Sequence, residues 1–126
     1  MSTIYISGKI SGDRNYRTKF MDAEAEMMAR GWKVTNPART DPDMEIRSIM
    51  IRDLIGVLTS DAVYALPDWK ESAGARLETA MAVYCKIPIY YSLTEVPNLW
   101  DRDDLPFADA VPPGEAAYDF WSDDTD

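Results

Sequence analysis

"DAVYALPDWKESAGARLETAMAVYCKIPIYYS", residues 61–92, carries the pattern that decides the fold. "DAVYAL" (61–66) is apolar at nearly every position, as a strand covered on both faces is. "PDWKE" is loop-like. "SAGARLETAMAVY", Ser72 to Tyr84, is small and apolar at helical spacing, and "IPIYYS" (87–92) is a strand again. Strand, helix and strand in that order describe a parallel crossover unit. One residue in it is awkward. On a helix Glu78 neighbours Gly74, Ala75, Met81 and Ala82, none of which can pair with an anion. Glu78 therefore points to water, pairs with an arginine from elsewhere, or is a carboxylate held in a small-residue pocket.

The pattern repeats toward the N-terminus. "TIYIS" (3–7) reads as a buried strand, with Gly8 and Gly12 bracketing the loop after it. Residues 16–30 read as helix, with Phe20, Met27 and Met28 at helical spacing and Gly31 as its stop. "WKVTNP" is a second strand ended by Pro37, and "RTDPD" is turn-rich. Met44 to Thr59 is helical. Ile49, Met50, Leu54 and Val57 mark its buried stripe and Asp53 flanks that stripe. The order β-α-β-α-β-α-β predicts an α/β fold, flavodoxin- or Rossmann-like. Its parallel sheet has four to five strands and helices on both faces, in three α/β/α layers. Ligands bind such sheets at the carboxyl ends of the strands. The loops 8–15, 67–72 and the one after residue 92 meet there.

The chain has 126 residues and is 46% hydrophobic, enough for one domain with a real core. Its formal charge of −9 is unevenly spread. Residues 1–100 hold 13 acidic and 12 basic side chains; residues 101–126 hold 9 and 1. Neither part has the basic excess of a nucleic-acid binder. We expect an α/β domain over 1–97 and an acidic tail over 98–126. The tail contains Trp100, Phe107, Tyr118, Phe120 and Trp121, so it packs on the body or a second copy, or else is a disordered acidic end. No apolar run is long enough to span a membrane, and the first residues lack the pattern of a signal peptide. One cysteine and no histidine argue against a disulfide framework and a metal site, and a reducing cytoplasm is the expected location. Without histidine, acid–base chemistry near neutral pH falls to carboxylates, tyrosines or lysines.

Candidate site residues follow from position. Ser72 stands at an N-cap, where its hydroxyl and the first free N–H groups face the ligand end of the sheet. Gly74 lets a ligand approach the backbone, so the pair suits a phosphate or carboxylate. The alternative is that Ser72 only caps its helix. Asp53, beside Arg52, reads equally as an exposed acid. "SGKISGDR" is not a dinucleotide fingerprint, though Lys9 and Arg14 within it could meet an anion.

Together these pieces resemble the nucleoside 2-deoxyribosyltransferase superfamily. They look closest to its 2'-deoxynucleoside 5'-phosphate N-glycosidases and to related small phage and bacterial proteins. The resemblance covers about residues 3–92. "IYISGKISG" is similar to the family's first strand and glycine loop, which implies that Tyr5 contacts the catalytic carboxylate. The same match implies that Ser7, Gly8, Lys9 and Ile10 bind substrate. "RDLIGVLTSDAVYAL" resembles the segment supplying an active-site aspartate, which implies that role for Asp53. "SAGARLE" resembles the segment with a glycine four residues before the nucleophilic glutamate, which implies that Glu78 is the nucleophile. "CKIPIYY" resembles the strand that follows.

Six residues before that glutamate the nucleoside transferases carry an aspartate for the 5'-hydroxyl, and the monophosphate glycosidases a serine for the 5'-phosphate. This chain has Ser72. It departs from the family at Ser11, where the glycosidases carry an arginine. It departs again at Arg76, which could bind phosphate or narrow the pocket. The resemblance implies an N-glycosidase that cleaves or transfers the base of a (deoxy)nucleoside 5'-monophosphate through a covalent glycosyl-enzyme. It implies no cofactor, no nucleic-acid polymer or membrane partner, and a homodimer or larger homo-oligomer. The alternative is a non-catalytic protein, of phage type, that binds and sequesters a nucleotide.

Overall fold

The structure, a computed structural model, describes residues 2–102. Four strands form one parallel sheet: β1 (Thr3–Ser7), β2 (Lys33–Thr35), β3 (Ala62–Ala65) and β4 (Ile89–Tyr90). Their spatial order is β2-β1-β3-β4. The helices between them are α1 (Tyr16–Ala29), α2 (Ile46–Leu58) and α3 (Ala73–Tyr84), and a short α4 (Leu99–Arg102) follows β4. This is the expected three-layer α/β/α architecture.

Alternation along β1 sorts the two faces, because successive strand side chains point opposite ways. Ile4 and Ile6, with Ala62 and Tyr64 of β3, pack under Phe20, Ala23 and Met27 of α1. On the opposite face Tyr5 and Val63 pack with Val57 of α2 and Ala82 of α3. Tyr5 registers with Thr35 and Val63, and Ser7 with Ala65, so β1 is flanked on both sides. Its odd-numbered residues thus project beneath α2 and α3.

Two expectations about helix faces need correcting. Met28 is exposed, because only Phe20, Ala23 and Met27 of α1 reach the sheet. On α2 the buried residues are Asp53 and Val57, one turn apart, while Ile49, Met50 and Leu54 are half-buried. Asp53 does not flank the buried face; it lies on it.

The expected tail begins earlier than its packing suggests. Trp100 donates its indole N–H to the Ala29 carbonyl at 2.9 Å, and the Leu99 N–H reaches the Arg30 carbonyl at 2.7 Å. These residues close over Gly31, whose φ of +88° is one that side chains disfavour. The remaining tail aromatics, Phe107, Tyr118, Phe120 and Trp121, lie outside the described residues.

Candidate active site

Glu78 answers the question its position raises: it is 5% exposed and turned onto β1. The Tyr5 hydroxyl donates to one carboxylate oxygen at 3.0 Å. The Ser7 hydroxyl donates to the other at 2.7 Å. Tyr5 and Ser7 are two apart on a strand, so both face α3, and one carboxylate can meet both. Burial pushes the Glu78 carboxyl up to about 7; the Asp53 charge adds to this, and the two hydroxyls oppose it. Tyr5 is held far above the usual phenol range by its burial first and the Glu78 and Asp53 charges next.

Asp53 reaches the same spot from α2. It is 8% exposed, and no hydrogen bond to it is made among the described residues. Burial raises its carboxyl to about 6, against the pull of Arg52. The exposed reading of Asp53 is thereby overturned. Gly56, one turn along α2, shows how the helix comes so close. A Cβ there would sit 3.0 Å from the Tyr5 ring and 3.3 Å from the Thr35 methyl. A side chain at 56 would lift α2, and Asp53 with it, away from Tyr5.

The N-terminus of α3 forms the neighbouring part of the site. Ser72 caps it, its hydroxyl oxygen accepting from the Ala75 N–H at 3.1 Å. The Ala73 and Gly74 N–H groups carry no hydrogen bond among the described residues. The Ser72 hydroxyl proton also remains available to donate. Such a terminus attracts anions. Gly74 is not required by internal packing, since a Cβ there meets Met50 Sδ and Ser72 Oγ only at 3.8 Å.

The first loop is tied into the fold at several points. Gly8 is buried, and a Cβ there would sit 2.6 Å from Leu66 Cδ1, so glycine keeps β1's end against the β3 end. Ile10 packs against the α1-side core. The Lys9 N–H donates to Asp68 at 3.1 Å, and its ammonium lies 3.8 Å from Glu71 at the rim. The ammonium of Lys19 binds the Lys9 carbonyl, Asp13 and Asp68 together. This tie fixes the loop after β1 to the loop before α3. The Trp69 ring of the latter packs against that of Tyr91, just after β4, with centroids 5.7 Å apart and planes tilted by 43°. The expected loops 8–15 and 67–72 therefore do meet, and Tyr91, placed in the expected strand 87–92 but lying just past β4, joins them. Arg76 is exposed, with its guanidinium donating to the Lys70 carbonyl at 2.8 Å.

Sequence reasoning placed Ser7 among the substrate-binding residues but missed its bond to Glu78, for which the Tyr5–Ser7 alternation was the available signal. Two further contributors were missed. Gly56 was marked by its position one turn after Asp53. The Lys19–Asp68 tie spans 49 residues and had no local signal. Among the described residues there is no cluster of three or more metal-ligating side chains, and no helix is long and apolar enough to cross a membrane.

A comparison with curated proteins yields no match. Residues 2–91 match the family model described as a domain of unknown function (DUF4406), and the chain belongs to that family.

Proposed function

We infer that the protein cleaves, or transfers, the base of a (deoxy)nucleoside 5'-monophosphate, as members of the nucleoside 2-deoxyribosyltransferase superfamily do. One observation carries the reading: a buried glutamate hydrogen-bonded on both oxygens, beside a buried aspartate whose charge acts on it and whose carboxyl makes no hydrogen bond among the described residues. The open N–H groups and hydroxyl at the start of α3, one and a half turns from Glu78, suit the 5'-phosphate.

The chemistry follows that of retaining glycosidases. A Glu78 oxygen attacks C1' opposite the base, forming an ester bond. The C1'–N bond breaks, its electron pair moves onto the base nitrogen, and Asp53 supplies the proton that lets the base leave. Water then attacks C1' and gives its proton to Asp53, releasing the sugar phosphate and the Glu78 carboxylate. A second base attacking instead gives transfer. Tyr5 and Ser7 hold the nucleophile in line.

Attack needs one proton on the pair, on Asp53 and not on Glu78. Glu78 holds its proton to about 7 and Asp53 to about 6, so the singly protonated pair predominates between those values. Positive charge developing on the sugar beside Glu78 favours its anion and moves the proton to Asp53. Turnover is expected to peak between these two values.

The test is release of free base from a panel of nucleoside and deoxynucleoside 5'-monophosphates, followed chromatographically. Glu78→Ala is expected to abolish release. Asp53→Asn is expected to slow it by ~10²–10⁴, the usual worth of general acid help. Undiminished release by Glu78→Ala would refute the proposal. Tight binding of a nucleotide by the wild type with no base released would favour the sequestering alternative.

A further inference from the structure

The outer surface of α2 and α3 is unusual in its charge. Residues 46–58 and 73–84 contain only two acidic side chains, Asp53 and Glu78, and both are buried in the site. The same two helices carry Arg47, Arg52 and Arg76, all exposed. Between the arginines lie exposed apolar residues. Ile51, Ile55 and Leu58 form a stripe along α2, and Leu77, Val83 and Tyr84 stand out from α3. Tyr84 is 83% exposed. Isolated exposed apolar residues are ordinary; a set of this size on two adjacent helices marks a surface that something covers.

The chain itself carries a segment of matching chemistry. Residues 103–126 hold eight acidic side chains and no basic one, with "YDFW" at 118–121. We propose that the acidic aromatic segment around Tyr118–Trp121 docks on the α2–α3 face of its own chain. Its rings would cover the Ile51–Ile55–Leu58 stripe, and its carboxylates would meet Arg47, Arg52 and Arg76. Fifteen residues, 103–117, lie between Arg102 and Tyr118. Extended, they span roughly 50 Å, whereas a domain of this size has a radius of gyration of about 13 Å. The segment can therefore pass from α4, on the α1 side, around the sheet to the opposite face. The outer face of α1 is the poorer match, because it bears Asp22 and Glu26, both exposed. The groove of about 460 Å³ beside Trp32 and Trp100 offers Lys33 and Arg39, but Arg39 is already paired with Glu24 there and the groove has no stripe of exposed aliphatic side chains like that of α2.

Paramagnetic broadening in the full chain tests this. Cys85, the single cysteine, is replaced by serine, and a nitroxide is attached through Ser122→Cys. The amides of Ile51, Ile55, Leu77 and Tyr84 are expected to lose more than half their intensity, while those of Met21 and Asp22 keep theirs. Ile51→Asp with Ile55→Asp, both at exposed sites, is expected to restore the intensities at least twofold without changing the fold. Absent broadening, or broadening centred on the Trp32–Trp100 groove, overturns the proposal. A mixture of isotope-labelled chain without nitroxide and unlabelled chain with it is expected to show no broadening. If the α2–α3 amides broaden there, the occupant is a second copy and the intramolecular docking is refuted.

Discussion

Replacing Glu78 by glutamine is expected to stabilise the protein at pH 8 and to leave it little changed, or slightly weaker, at pH 5. A carboxyl moved from 4.5 to about 7 costs about 3 kcal/mol to ionise in place, at 1.36 kcal/mol per pH unit. The sign follows from proton linkage. Between pH 4.5 and about 7 the native protein keeps a proton on Glu78 that the unfolded chain has released, so stability falls as pH rises. The contribution is complete below 4.5 and gone above about 7. Asp53, raised from 3.8 to about 6, acts in the same direction over a lower window. The two costs do not simply add, because each acid's charge opposes ionisation of the other.

An amide at 78 is never charged, so it escapes this cost, but it cannot accept from both Tyr5 and Ser7 as a carboxylate does. One lost or reversed hydrogen bond removes about 1 kcal/mol. The net gain at pH 8 is about 2 kcal/mol, or roughly 6–10 °C in Tm for a chain of this size. Urea and thermal unfolding followed by circular dichroism at both pH values measure it. If Glu78→Gln is less stable than wild type at pH 8, the carboxylate is better solvated than its surroundings imply and the reasoning fails. A wild-type stability that climbs between pH 5 and 7 would be equally fatal.

Ser72→Asp keeps an N-cap oxygen, so Tm is expected to move by no more than the equivalent of about 0.5 kcal/mol. Calorimetric affinity for a nucleoside 5'-monophosphate is expected to drop at least tenfold, with the bare nucleoside unaffected. Gly56→Ala gains about 1 kcal/mol of helix propensity but drives a methyl to 3.0 Å from Tyr5. Overpacking costs of about 1–3 kcal/mol leave a net loss visible in urea unfolding. Lys19→Met removes the tie among Lys9, Asp13 and Asp68. Hydrogen exchange at residues 8–12 and 67–72 is expected to quicken about tenfold, with α2 unchanged.

Much of this architecture was legible because local chemistry and tertiary placement agree. The apolar run at 61–66 becomes a strand buried at every paired position, and Ser72 caps the helix it was expected to start. Glu78 was visible as an acid among small residues, which is how a pocket for a carboxylate looks in one dimension. Asp53 was less legible. A helix surrounded by isoleucines offers two apolar stripes, and periodicity does not say which one meets the sheet. Ile51, Ile55 and Leu58 form the outer stripe, while the acid sits on the inner one. The Lys19 tie depends on residues brought together by the sheet, and no pattern within one segment encodes it.

That tie also has a mechanical consequence. Among the described residues, residues 40–45 make only short-range hydrogen bonds. Thr40 N–H binds the Pro37 carbonyl, and the Asp43 and Met44 N–H groups bind Asp41. Lys19, by contrast, fastens residue 9 to residue 68, and the Trp69 ring packs against that of Tyr91. The loops after β1 and β3 and the chain just after β4 are thus fastened to one another and shift as one piece.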